Sequence, residues 1–176
     1  MIEIHQIERQ LIIYDVFRTF EKVTYRDIEF VLRKVEMRTL QRDIKDLTDA
    51  GLICVKYSDD QKAYIQKKEP TGKVVDRDNI SRKKLQHLNR LNRLAGCMRL
   101  VYEPDPVKTY FEMFPEASEK IRQRDFETLR HIGYEAGYSR EMEGYWVSND
   151  VVSPYDGYGI YLKDGKLVRN GDRKST

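Results

Sequence analysis

Four long polar side chains recur at helical spacing around residue 40, and each can donate hydrogen bonds. If Leu40 is set at 0° on a helical wheel, Gln41 and Lys45 lie at about 100° and 140°, and Arg38 and Arg42 at about 160° and 200°. Arginine can bind two acceptors on guanine, glutamine can pair with adenine, and lysine can neutralise a phosphate. A helix with such a face fits the major groove of double-stranded DNA, so we expect these side chains to contact a duplex.

Two simpler interpretations of the same face remain open. Arg42 can form an ion pair with Asp46 one helical turn later, an interaction worth only tenths of a kcal/mol. The whole face can also be an ordinary solvated surface, because most surface helices carry charge. The position of the segment, after a short helix and before a hairpin, favours a helix that reads DNA.

The elements that position this face are three helices followed by a hairpin, the order of a winged helix-turn-helix. Thr24 and Asp27 fit a capping box at the start of the second helix, and Gly51 provides a stop after the third. Apolar spacing predicts the first helix over about 3–20 and the third over about 36–50, with strands at 52–57 and 62–67. In this arrangement Lys56 and Lys62 on the hairpin contact the DNA backbone, with Tyr25 and Arg26 at the start of the second helix.

The tripeptide Gln-Arg-Asp occurs at residues 41–43 and again at 123–125, an offset of 82 positions. With the same offset Leu47 meets Leu129 and Gly51 meets Gly133. Such self-similarity indicates one helix-rich unit built twice in tandem. We therefore predict an α+β, mostly helical protein with two tandem winged helix-turn-helix units and small β-hairpin wings. The predicted domains are a DNA-reading unit (1–69), a basic linker (70–80), a second winged helix (81–150), and a C-terminal hairpin with a disordered tail (151–176).

The second copy carries a different outward face. Lys120, Gln123 and Arg124 stand where the first copy has Arg38, Gln41 and Arg42, but Glu127 replaces Lys45. A carboxylate aimed at a polyanion is repelled. The second unit is therefore expected to be a weaker DNA reader or a dimerisation or partner-binding module.

Positive charge concentrates between the two copies. Residues 71–90 contain six basic and two acidic side chains, a net charge of +4, whereas residues 1–70 contain 13 of each. Lys83 and Lys84 can touch phosphate or a partner, although short basic runs are also common on solvated surfaces. A helix beginning after Ser81 has a long apolar stripe, which indicates either a homodimer contact or packing across the two copies.

The third helix resembles a specific family. The segment from Val35 to Leu47, with its Arg-Thr-x-x-Arg-Asp core, is similar to the winged helix of DeoR-type bacterial transcription regulators, a module that also heads WYL-domain regulators. The resemblance covers about residues 7–66 and implies that Arg38, Thr39 and Arg42 face DNA, while Asp43 stabilises the helices. Glu36 stands where the family usually has serine, which implies a weaker cap. The sensor domains of these regulators have no counterpart, so no small-molecule effector site is carried over.

Other classes of function lack a sequence signature. His5, His87 and His131 are widely separated, Cys54 and Cys97 stand alone, and no phosphate-binding or nucleophile motif occurs. We expect no enzymatic activity, no cofactor and no metal. No apolar run approaches a bilayer-spanning length, and no signal peptide is recognisable, so a cytoplasmic location is expected.

The sequence thus predicts a bacterial regulator that binds specific sites on double-stranded DNA, as a homodimer. The alternative is a tandem winged-helix assembly module that binds protein, or a replication-initiator-like protein.

Overall fold

The chain divides into two compact units, Met1–Ala95 and Gly96–Thr176. A computed structural model describes residues 4–32, 35–141, 143–148, 160–163 and 166–169. The described part is α+β and mostly helical, as predicted.

The residues that the structure describes in the first unit form four helices. Their apolar faces meet in a core that includes Leu11, Ile28 and Leu47, all fully buried. The predicted capping box is present, since the Thr24 amide donates to Asp27 Oδ2 (2.7 Å) and the Asp27 amide donates to Thr24 Oγ1 (3.2 Å). The helices are α1 (Gln6–Thr19), α2 (Tyr25–Leu32), α3 (Met37–Asp49) and α4 (Arg82–Cys97), the last of which runs two residues into the second unit.

A three-stranded antiparallel sheet completes the first unit. It contains β1 (Lys22–Thr24), β2 (Val55–Ser58) and β3 (Ala63–Gln66) in the order β1-β3-β2. The hairpin β2–β3 was predicted, but β1 was not. Its three residues lie between α1 and α2 and pair with β3 through Val23 opposite Tyr64.

The segment expected to be a linker is hydrogen-bonded to the end of α3. The Gly72 amide donates to the Gly51 carbonyl (2.9 Å), and the Val75 amide donates to the Asp49 carbonyl (2.8 Å). Asn92 Nδ2 on α4 donates to the carbonyls of Ala50 (2.9 Å) and Gly72 (3.1 Å). Residues 71–75 and most of α4 therefore belong to the first unit, whereas the sequence placed a domain boundary at 70–80.

The second unit contains a 3₁₀ turn (Leu100–Tyr102), α5 (Pro106–Met113), α6 (Glu119–His131), and the antiparallel pair β4 (Glu135–Ser139) and β5 (Gly144–Ser148). Ser118 caps α6 by accepting from the Ile121 amide (3.3 Å). In α3 the corresponding residue, Glu36, makes no side-chain cap bond. That difference agrees with the weaker cap expected for Glu36.

The repeat seen in the sequence is also a repeat of local structure. The helices α3 and α6 contain 13 residues each and begin 82 positions apart. Two residues after the end of each helix lies a glycine with positive φ, +74° at Gly51 and +100° at Gly133. The amide after each glycine donates back to a helix carbonyl at 3.0 Å, Leu52 to Leu47 and Tyr134 to Leu129.

A separate hairpin occurs near the C-terminus. The strands β6 (Ile160–Lys163) and β7 (Lys166–Arg169) pair antiparallel, as the sequence predicted. The predicted disordered tail from Gly171 onward lies outside the described residues. In the described part of the chain no helix has both the length and the apolar character needed to cross a lipid bilayer.

Candidate nucleic-acid interface

The outward face of α3 is exposed along its length. The side chains of Arg38, Gln41, Arg42 and Lys45 are all solvent-exposed, and Thr39 is half-buried. The opposite face packs into the core through Leu40 and Leu47. The helix therefore presents the donor groups that the sequence predicted to the outside of the protein.

An acidic stripe on α3 faces the rest of the first unit. It consists of Asp43, Asp46 and Asp49, which are spaced by three residues and are all buried. Asp43 accepts from Arg9 Nε (2.6 Å) and Nη2 (3.2 Å) and from Gln10 Nε2 (3.0 Å), so α1 holds this carboxylate. Asp43 thus joins helices, as the resemblance implied.

The other two carboxylates of the acidic stripe have cationic partners from later segments. Asp46 accepts from Gln10 Nε2 (3.0 Å) and from the Lys84 ammonium. Asp49 pairs with Lys45 Nζ (2.7 Å) and with Arg77 Nη2 (2.9 Å). These pairs place a cation beside every carboxylate of the stripe, which reduces its repulsion of a nearby polyanion.

Lys45 and Lys84 have partners that the sequence did not indicate, because both ammonium groups form ion pairs within the protein. A helical wheel gives the direction of a side chain but not its partner, which explains the difference. Arg38, Gln41 and Arg42 are the remaining donors on the predicted reading face. The sequence left open an ion pair between Arg42 and Asp46, one helical turn later. In the structure the Asp46 carboxylate accepts from Gln10 and Lys84 instead.

His87 on α4 joins the same network. Its Nε2 lies 2.8 Å from Gln10 Oε1 and 3.7 Å from Asp46 Oδ2. Burial lowers the pKa of His87 from its ordinary value of 6.5, against the opposing effect of Asp46. The neutral imidazole is therefore the form that the folded unit favours near neutral pH.

The lowered pKa of His87 predicts a specific pH dependence of stability. Below pH 6.5 the unfolded chain takes up a proton at this histidine more readily than the folded chain does, so the free energy of unfolding falls as the pH decreases. We expect His87→Gln to lose less stability than the wild type between pH 7.5 and about 5.5. Urea titrations at several pH values measure this, and parallel losses in both proteins would contradict it.

The predicted contacts around α3 are positioned as follows. Arg26 at the start of α2 is exposed, whereas Tyr25 is half-buried and its hydroxyl donates to the Val35 carbonyl. On the hairpin, Lys56 and Lys62 are both exposed, and Lys62 has a positive φ of 48° just before β3. Tyr25 thus holds the start of α2 against the turn before α3, and both hairpin lysines are accessible.

The second unit presents Lys120, Gln123 and Arg124 on the exposed face of α6, together with the exposed Glu127. Gln123 Nε2 donates to Glu119 Oε1 (3.3 Å). The buried sides of α3 and α6 differ at one repeat position. Arg122 of α6 occupies the position of the core residue Leu40 of α3, and it is only 2% exposed. Its Nε donates to both oxygens of Glu119 (3.1 and 3.0 Å), and its guanidinium lies 4.8 Å from the Phe126 ring centre. The hydrogen bond from Arg122 lowers the pKa of Glu119.

The sequence did not predict the polar network in which Arg9, Gln10, Lys84 and His87 contact Asp43 and Asp46 of α3. Its signals were an Arg-Gln pair at residues 9–10 within an apolar stripe and three aspartates at intervals of three. Neither signal identifies the partner, because Arg9 and Gln10 lie more than 30 residues from Asp43 and Asp46 in the sequence.

Comparisons of the chain with protein-family models, with curated proteins and with solved structures found no match. Among the residues that the structure describes, no group of three or more His, Cys, Asp or Glu side chains is arranged to hold a metal ion.

Proposed function

We propose that this protein is a transcription regulator that binds specific sites on double-stranded DNA by inserting α3 into the major groove. The observation that carries this proposal is the division of polar groups on α3. Arg38, Gln41 and Arg42 are exposed, while the acidic stripe on the same helix is buried against cations and amides. A helix that offers donors outward and hides its carboxylates suits a polyanionic partner.

The order of elements supports the winged-helix assignment. In the first unit, β1 lies between α1 and α2, α3 follows, and the hairpin β2–β3 closes the sheet with β3 in the middle. A winged helix-turn-helix has this arrangement, in which the third helix reads bases and the hairpin touches the backbone. The DeoR-type resemblance of the α3 sequence supports the same proposal.

Each side chain has a defined role in this mechanism. Arg38 and Arg42 donate to guanine acceptors, and Gln41 pairs with adenine. Lys56 and Lys62 on the hairpin and Arg26 on α2 contact phosphates, which fixes the position of α3 but carries no sequence information. Specificity therefore depends on α3, and the general affinity depends on the flanking cations.

Substitutions on α3 and on the hairpin are expected to have different effects. Arg38→Ala or Gln41→Ala should cost about 1–3 kcal/mol on a cognate site and relax base preference there. Lys62→Ala should weaken binding to all duplexes alike. It should also reduce the slope of log affinity against log salt concentration (the salt slope) by about 1. The cognate site is obtained by selecting bound DNA from a random pool, and affinities are measured by fluorescence anisotropy at several salt concentrations.

Arg99→Ala is the control for these measurements, because Arg99 is an exposed arginine outside α3 and the hairpin. Its affinity should match that of the wild type. Equal affinity of the wild type and Arg38→Ala for every duplex would exclude the proposed reading face.

The repeat offers a direct test of the second unit. Arg42 and Arg124 occupy the same repeat position and are both exposed. Because Glu127 lies on the face of α6, we expect Arg124→Ala to lose less affinity than Arg42→Ala, by about 1 kcal/mol or more. Equal losses would instead indicate that both units read DNA.

A partner-binding role of the second unit is a second candidate function, and exposed aromatic side chains favour it. Tyr102 is 81% exposed and Tyr138 is 54% exposed. Tyrosine is enriched at protein interfaces.

In the first unit, Leu85 on the predicted apolar stripe of α4 is 41% exposed, which favours the homodimer hypothesis. Sedimentation analysis with and without DNA distinguishes a homodimer from a monomer and shows whether DNA changes the oligomeric state.

A further inference from the structure

The helix α4 has an unusual charge pattern for this chain. Its 16 residues include five lysines and arginines but no aspartate or glutamate, although the whole chain has nearly as many acidic as basic side chains, 29 against 32. The cations of α4 therefore do not belong to an ordinary mixed-charge surface.

One side of α4 is buried in the first unit and the other side is exposed to solvent. Leu88 and Leu91 are fully buried, and Lys84 is committed to Asp46. The opposite side includes four exposed polar residues, which we call the α4 outer face: Arg82, Lys83, Gln86 and Asn89. The exposed Leu85 lies at its edge. Within one helix these residues fall in an arc of about 120°, at 100° per residue.

The α4 outer face is rich in donors and lacks carboxylates. Guanidinium, ammonium and amide groups all donate to phosphate oxygens, and the bonds from charged groups are the stronger ones. The nearest acidic residues in the preceding segment, Asp76 and Asp78, come before the helix begins. These four residues of α4 therefore present an anionic polymer with donors and two positive charges, and with no carboxylate among them.

The position of α4 beside α3 indicates which polymer this is. Lys84 and His87 both approach Asp46, and Asp46 is the i+4 neighbour of Arg42 on α3. The first two turns of α4 therefore lie alongside the part of α3 that carries Arg42. Packed helices have axes about 8–10 Å apart. A duplex whose major groove holds α3 has sugar-phosphate backbones on both sides of the groove, within reach of long side chains on an adjacent helix.

We infer that the α4 outer face binds the phosphodiester backbone of the duplex that α3 reads, independently of base sequence. This inference rests on the proposed function and extends it, since it assigns a second DNA contact outside the winged-helix elements. It also gives the positive segment at residues 71–90 two separate roles. Lys84 and Arg77 neutralise the acidic stripe of α3, and Arg82 and Lys83 face the DNA.

The test compares two double variants with the same change in charge. One is Arg82→Gln/Lys83→Gln on the α4 outer face. The other is Arg99→Gln/Lys108→Gln, which removes an exposed arginine and an exposed lysine from the second unit. Binding to the selected site and to random duplex is measured between about 50 and 200 mM salt. Thermal unfolding verifies that both variants remain folded, as is expected for exposed side chains.

The expected result is specific to α4. The Arg82/Lys83 variant should lose affinity for the selected and the random duplex by the same factor, and its salt slope should fall by about 0.9 for each phosphate contact removed. The Arg99/Lys108 variant should keep the wild-type slope. Equal changes in the two variants would reveal only a net-charge effect and overturn the inference.

Two other outcomes are equally informative. A change in base preference in the Arg82/Lys83 variant would overturn the assignment to backbone binding. If the wild type binds no duplex even at low salt, the proposed function fails and this inference fails with it. If Arg38→Ala weakens specific binding but the α4 variant binds like the wild type, the inference fails alone.

Discussion

Replacement of Gly51 by alanine is expected to destabilise the first unit by about 2–5 kcal/mol. Gly51 has a φ of +74°, and this left-handed conformation costs a residue with a Cβ about 1–2 kcal/mol. A Cβ there would lie 2.1 Å from the Lys73 carbonyl oxygen and 2.7 Å from the Lys73 amide nitrogen, both backbone atoms. Overpacking of this kind adds about 1–3 kcal/mol. Urea unfolding followed by circular dichroism measures the loss.

Gly72 provides a matched control, because it has a similar φ of +66° but open space within 4 Å of the point that a Cβ would occupy. Gly72→Ala should therefore show only the conformational loss of about 1–2 kcal/mol. A Gly51→Ala protein as stable as Gly72→Ala would mean that the segment at Lys73 does not lie against the end of α3.

Replacement of Asp43 by asparagine is expected to destabilise the protein by about 3 kcal/mol. The carboxylate is 1% exposed and holds Arg9 and Gln10 on α1, so its loss leaves the guanidinium without its anion. Breaking a buried ion pair typically costs about 3–5 kcal/mol, and the 21% exposure of Arg9 places this pair at the lower end. The midpoint of urea unfolding measures the effect.

Two further variants verify the cause of that loss. Asp60→Asn, at an exposed aspartate in the β2–β3 turn, should change stability by no more than about 0.5 kcal/mol. The double variant Arg9→Gln/Asp43→Asn should be less destabilised than the sum of its single changes, because the two residues interact directly. Simple additivity would show that the pair at Arg9 and Asp43 is not what stabilises α3.

Local signals in the sequence were sufficient for much of the first unit. The apolar spacing of Leu40, Ile44 and Leu47, with Gly51 as the stop, predicted α3 to within a residue at each end. Thr24 and Asp27 predicted the start of α2. These features depend on interactions within a few residues, which a single sequence displays directly.

Features that depend on distant partners were not predictable in the same way. The strand β1 is three residues long, too short for an alternating pattern, and exists because β3 pairs with it. The apolar stripe of α4 indicated that one face would be buried, but not that Asn92 would bond the end of α3. Arg122 aligns with the core residue Leu40, and its burial depends on Glu119 and Phe126 around it.

For the candidate site, the sequence predicted which side chains of α3 are exposed but not the ion pairs that they form. The helical wheel placed Arg38, Gln41 and Arg42 on the outside, where the structure has them. It placed Lys45 there as well, without the ion pair to Asp49 that occupies its ammonium group. Charge counting detected the positive segment at residues 71–90, which includes the first half of α4. It could not show which of these cations form ion pairs inside the first unit and which lie on the α4 outer face, because that depends on partners distant in the sequence.

The bonds between residues 72–92 and the end of α3 determine how the chain can be dissected. A fragment that stops after residue 69 would discard the amides of Gly72 and Val75 and the Asn92 side chain, and three carbonyls in residues 49–51 would then face solvent. Arg77 and Lys84, the cations on Asp49 and Asp46, would go with them. The shortest N-terminal piece that preserves the contacts at the end of α3 therefore extends through most of α4, to about Ala95.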